Sequence, residues 1–464
     1  MTLLPATILL LVAASSFADA AEPASVGNLF LYAWAGPEYP SKHNKDFLAT
    51  INATDPFHPK VIAATDINSW GNEPHHVGVN GNVLAAGGLF SYRRIPTVKP
   101  QPTNDIYFFD TTNGGSQSAA EPTYTGHSLR GVRGAVVDSF LTLGPNAMLV
   151  TMMGNRKGRG PGKLGVLVRN ATGQPWRLVN EFDGGLNGTV DATFLPHGMD
   201  RFNNTLVTAD YVDAESTWAS GKSPLNPVYG KTVRVWDIEK LVQNPLTGIP
   251  FVRAVWDVTA ATQQPSNGQM SVRYSLRLNR FYFSAGRGQL YTVDTSVPHG
   301  SPVSQAIKEV YRLDNQEVLG SCVMSPIFRL QTPEGDKFRM VVTSLGLNQI
   351  RLLDITDIDA ARTLSMKQMP AGSQPHVVVT DSTYRIAAVS TYYVEQTKET
   401  FGRMGIWSAP AEKAVRFFGI EGDLYNTLTE AGVVDFATLC RRYPQVCPSN
   451  RGATRPHGLA FKRV

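Results

Sequence analysis

Cysteine is scarce: three residues in a chain of 464. Three thiols allow at most one disulfide and offer no obvious thiolate set for a metal. Charge is scarce as well. Asp, Glu, Lys and Arg make up 17% of the chain, the net charge is +5, and no Lys/Arg block with interleaved aromatics occurs. That distribution argues against a nucleic-acid surface. Long apolar runs are confined to the first residues, from Thr2 to Val12, too short a stretch to span a bilayer comfortably. Turn chemistry is what abounds. The 41 glycines and 30 prolines argue for many turns and few long helices.

The apolar N-terminus ends at Ala18-Asp19-Ala20, a small-x-small cleavage signal. We read residues 1–20 as a secretory signal peptide and 21–464 as the mature chain, secreted, or periplasmic in a bacterium. Asn52, Asn170, Asn187 and Asn203 each open an Asn-x-Ser/Thr sequon and are glycosylation candidates in a eukaryotic host. Cys440 and Cys447, close together in "CRRYPQVC", can close a small loop in an oxidising compartment. Cys322 is then left over as a buried, inert thiol.

The chain repeats itself. "FLATINATDP", "IYFFDTTNGG", "LGVLVRNATG", "VRVWDIEK", "LYTVDTSVP", "IRLLDITDI" and "MGIWSAPAEK" share one pattern: alternating apolar residues, usually Asp or Asn, then a turn. A second pattern interleaves with it, from "HHVGVNGNVLAAGG" to "PHVVVTDSTYRIAAVSTYY", and its last copy, "RPHGLAFKRV", stops after one strand. Residues 28–35, "NLFLYAWA", form an unmatched strand at the start. Alternation gives strands and the Asp/Asn endings give turns. Seven units of about 63 residues exceed the ~40–50 of compact propeller blades, the excess going into loops. The pattern predicts an all-β fold, a single-domain seven-bladed β-propeller closed by pairing of the N- and C-terminal strands.

The histidines follow the repeat. His75/His76, His197, His376 and His457 all stand at the start of an inner-strand pattern, each behind a proline: Pro74, Pro196, Pro375 and Pro456. Strand alternation predicts that one of His75 and His76 faces the channel, and repeat alignment favours His76. Imidazoles at equivalent repeat positions predict a metal site, and a set of nitrogen ligands suits copper or iron. Asp138, in the inner strand of the second blade, matches their register and is the candidate base or fifth ligand. Glu73 and Asp200 are candidates to orient imidazoles. Met270 and Cys322 occupy the fourth and fifth blade positions as core residues, and His58, His127 and His299 read as surface.

The stretches "DPFHPKVIAATDI…NEPHHVGVNGN", "GKLGVLVRN", "YGKTVRVWDIEK" and "QPHVVVTDSTYRIAAVSTYY" resemble the selenium-binding protein / methanethiol oxidase family. The His-His-x-Gly stretch at His75, His76 and Gly78 carries the similarity most strongly. The resemblance implies a propeller with a histidine-rich, copper-associated site. It also implies oxidation of methanethiol with O2 and water to formaldehyde, hydrogen sulfide and hydrogen peroxide. Val137-Asp138-Ser139-Phe140 stands where the family carries His-Thr-Ser-His, and the family's cysteine pair and Gly-Gly-Asp-Cys tail are missing. His197 then stands in for the lost ligand. The expectation is a secreted, monomeric copper or iron oxidase of a small thiol, without nucleic-acid or membrane partners. The ligands are His76 or His75, His197, His376 and His457. The alternatives are a divalent-cation hydrolase or lyase using Asp138, Glu73 and Asp200, and a binding module without chemistry.

Overall fold

Five of the seven third strands end as their sequence requires. Asn52, Asp110, Asp237, Asp294 and Asp354 each accept the backbone N–H two residues further on, at 2.8–3.0 Å. These side-chain turns stop the strand and reverse the chain. The computed structural model describes residues 27–38, 40–94, 101–112, 122–216, 228–262, 268–313, 323–391, 412–444, 446 and 452–464. The signal-peptide reading, Cys322 and Cys447 fall outside these residues. Cys440 is disulfide-bonded.

The strands form seven four-stranded antiparallel sheets, the blades of a propeller. The inner strands of blades 1 to 4 are Pro74–Asn80, Gly134–Gly144, Pro196–Phe202 and Gln269–Ser275. Those of blades 5 to 7 are Phe328–Thr332, Val378–Thr380 and Thr454–Arg463. Blade 7 closes the ring as expected. Its inner strand comes from the C-terminus and pairs antiparallel with Leu29–Pro37, from Leu29↔Arg463 to Pro37↔Thr454. One expectation fails. "MGIWSAPAEK" is not the third strand of blade 6; that strand is Ala414–Glu421, paired with Ile386–Ser390. Residues 404–411 lie outside the described residues. Alternation had placed the strand early because "GIW" mimics the pattern that "VRFFGI" fulfils.

The core lies between blades. One cluster joins Val207, Val235 and Ala254 of blade 3 to Val272, Phe283 and Tyr291 of blade 4. Sheets packed on both faces bury both side-chain rows. That explains near-continuous apolar second strands such as Ala147–Asn155, buried up to its last residue. Among the described residues no helix is long and apolar enough to cross a membrane.

Candidate metal centre in the channel

The inner strands enter the channel through a repeated irregularity. The pairing register slips between Pro74 and Val77, Val137 and Phe140, Pro196 and Met199, and Gln269 and Val272. In blade 7 it slips opposite Pro456 and Gly458. Blade 6 shows the same geometry, with His376 N–H donating to the Ser390 carbonyl and Ser390 N–H to that of Val377. Each slip is a β-bulge, in which two residues oppose one, so strict alternation is suspended. His75 and His76, Asp138, His197, His376 and His457 sit on these bulges.

This corrects the alternation argument. His75 and His76 both face the cluster, with rings stacked at 4.4 Å and 5°. Asp138, fully buried, is the hub. Its carboxylate meets His75 Nε2 at 2.9 Å, His76 Nδ1 at 3.0 Å and His197 Nε2 at 3.0 Å. Ser139 Oγ donates to it at 2.9 Å. Burial alone would push the Asp138 carboxyl up. The three imidazoles around it instead hold it well below the usual carboxylate range, so it is ionised. Burial, reinforced by the neighbouring His76, pulls His75 down to about 4. Burial also holds His376 and His457 well below their ordinary value. Neutral imidazoles keep the lone pair a metal needs.

The glycine of "PHG" has a steric reason. A Cβ on Gly198 would stand 2.2 Å from the Met270 carbonyl oxygen, and one on Gly458 would stand 2.2 Å from that of His75. Without a Cβ the neighbouring blade's backbone comes close enough for His197 Nδ1–H to donate to the Met270 carbonyl at 2.8 Å. A carbonyl behind one ring nitrogen, with the other nitrogen facing the centre, is the usual support of a ligating imidazole.

Two overlapping ligand groups result. His75, His76, Asp138 and His197 form one, and His76, His376 and His457 form the other, with donor atoms within 4.8 Å of one another in each. His76 belongs to both. All five histidines named from the sequence are thus brought together with Asp138, though not as four ligands around one point. Asp200 does not orient an imidazole; its carboxylate accepts the backbone N–H groups of Arg201 and Tyr274, both at 2.8 Å. Glu73 pairs with Arg455 at 3.3 Å, tying the strand of His75 to that of His457. Met270 is buried in an apolar cluster, as expected. His58 and His299 are exposed, whereas His127 is half-buried and stacks on Phe108 at 5.6 Å.

Two threonines were missed. Thr151 Oγ1 donates to the His197 carbonyl and Thr343 Oγ1 to the His376 carbonyl, each at 2.7 Å. Each hangs a histidine-bearing bulge from the second strand of the preceding blade. The recurring Val-Thr pairs at Val150-Thr151 and Val342-Thr343 were the available signal.

No protein-family model matches the sequence, and no curated protein is similar to it at the sequence level. Solved structures share the fold. A hypothetical selenium-binding protein from Sulfolobus tokodaii is 13% identical at a TM-score of 0.61, over 95% of each chain. A periplasmic gluconolactonase from Pseudomonas aeruginosa is 10% identical at 0.54, over 93% of this chain and 99% of its own. A putative 6-phosphogluconolactonase from Bacteroides uniformis is 9% identical at 0.53, over 94% and 100%. The class they define is the seven-bladed β-propeller. The chain is similar in fold to selenium-binding and gluconolactonase-type propellers and carries a His/Asp cluster on its axis.

Proposed function

We propose that this protein is a secreted, monomeric, metal-dependent oxidase of a small thiol such as methanethiol, with His76, His376 and His457 holding copper or, failing that, iron. The observation that supports this most is at His76. Its Nδ1 is engaged by Asp138 at 3.0 Å, while its Nε2 is buried without a hydrogen-bond partner. His376 and His457 bring ring nitrogens within 4.8 Å of it. A set of three imidazole nitrogens suits copper or iron. When bound, such an ion supplies a path for electrons from a thiolate to O2. The chain's own part is positioning. Asp138 holds the proton of His76 at Nδ1, which fixes the tautomer and raises the basicity of Nε2. Thr343 sets the depth of His376. Fold similarity to the Sulfolobus selenium-binding protein agrees with the reading without establishing it.

A second reading rests on the other ligand group. Its mixture of carboxylate and imidazole at His75, His76, His197 and Asp138 suits a zinc or manganese ion polarising a substrate oxygen, as in a hydrolase or lyase. Metal analysis of protein made through a secretory route, with copper, iron, zinc and manganese all supplied, separates the two. The oxidase reading expects about one copper or iron per chain. It also expects His376→Ala to lose at least nine-tenths of it while the fold, followed by circular dichroism, persists. Loss on His197→Ala but not on His376→Ala moves the ion to the second group. A folded protein that takes up no metal ends both readings.

A further inference from the structure

The wall of the channel holds a cation that the chemistry above does not use. Arg273 lies on the inner strand of blade 4, beyond the bulge that carries Met270. It lines a cavity of about 120 Å³ that also touches His76 and His197. Its Nη1 donates to the Val272 carbonyl at 2.8 Å, and its Nε is buried with no partner. Among the described residues Arg273 makes no ion pair. The acidic group nearest in effect, Asp200, has its carboxylate on two backbone N–H groups. Burial accordingly pulls the guanidinium below its ordinary value. A desolvated guanidinium with donors to spare is stabilised by an anion that accepts from it. The remaining wall is mixed, with Val77, Phe140, Met199 and Leu459 beside Ser139 and Ser271. The space would hold several waters, room for a two- or three-carbon acid.

We propose that this cavity is a subsite for a small organic anion, in which Arg273 receives a carboxylate while the other end of the molecule is directed at His76 and His197. The proposal rests on the oxidase reading only for what that other end is. Under that reading the preferred substrate is a short mercapto acid rather than a neutral thiol.

Propanoate, which has no thiol, tests the subsite apart from any redox chemistry, and propanamide is its uncharged counterpart of the same shape. Calorimetric titration of the full mature chain should show propanoate binding at least about tenfold tighter than propanamide, the scale of one charge-assisted hydrogen bond. Arg273→Met should erase that preference, and Arg273→Lys should restore part of it, which an arginine with a purely structural role would not do. Equal binding of the two probes by the unmodified protein overturns the proposal without recourse to any variant. So does a preference that survives in a folded Arg273→Met protein. Failure of the oxidase reading shows differently, as a chain without redox metal, and leaves the propanoate result intact.

Discussion

The two sides of the channel are built by one backbone device and carry different side chains. Blades 6, 7, 1, 2 and 3 place His376, His457, His75, His76, Asp138 and His197 on their bulges. Blade 4 carries the same bulge but places Met270 there, with Arg273 further along the strand. Polar groups alone meet around Asp138, whereas the cavity sets one guanidinium among apolar side chains, two serines and the edges of His76 and His197. The bulge therefore determines only that a side chain reaches the axis; the residue type decides what arrives there.

The comparison breaks most violently at its hub. Asp138→Ala leaves three imidazoles without their common acceptor in a buried site. Each buried donor left without an acceptor costs about 1–3 kcal/mol, so the three together cost about 3 kcal/mol or more. Urea unfolding should show a loss of that size, and a loss below about 1 kcal/mol would mean that the imidazoles do not depend on the carboxylate.

Acid should destabilise the histidine side. His75 is lowered to about 4, and His376 and His457 lie well below their ordinary value. Below the unfolded value near 6.5 the unfolded chain binds protons that the folded chain refuses, so stability falls as pH falls. By pH 5 His75 contributes a loss on the order of 2 kcal/mol, and His376 and His457 add losses of the same sign. Metal-free protein titrated with urea at pH 7 and pH 5 should show a steep decline. His457→Gln should flatten it, and Met270→Leu should leave its slope unchanged.

A smaller effect sharpens the contact between the two sides. Gly198→Ala pushes a methyl to 2.2 Å from the Met270 carbonyl, and overpacking of this kind costs about 1–3 kcal/mol. The expected sign of success is loss of stability together with a changed His197 imidazole resonance in NMR, because Nδ1 loses its acceptor. An unchanged resonance would detach the glycine from the histidine.

The smallest effect compares like with like. Thr151→Val and Thr343→Val each remove the hydrogen bond to a histidine carbonyl at 2.7 Å and the acceptor of one backbone N–H, that of Ser139 at 2.9 Å and that of Val323 at 3.4 Å, about 1 kcal/mol per bond. The two melting shifts should agree closely. A several-fold difference would show that the threonines are not equivalent supports.

Much of this was readable along the chain. Period-two alternation ending in Asp or Asn located the third strands at Asp110, Asp237, Asp294 and Asp354, because that signal is local. The unmatched "NLFLYAWA" foretold closure by the termini. The blade-6 strand was misplaced because "GIW" obeys in sequence the same alternation as the strand at Ala414–Glu421. The partners of Thr151 and Thr343 were invisible because each lies on the next blade.

Residue type and spacing by themselves determined the propeller, its closure, and the arrival of five imidazoles and one carboxylate at equivalent strand positions. These follow from short-range periodicity, which a linear pattern records. Only the tertiary structure decided that His75 and His76 both turn inward, that Asp138 gathers three rings, and that His76 is shared between two ligand groups. A bulge adds one residue to one strand only. Its effect on side-chain direction is settled by hydrogen bonds to the neighbouring strand, and no periodicity within the strand encodes it.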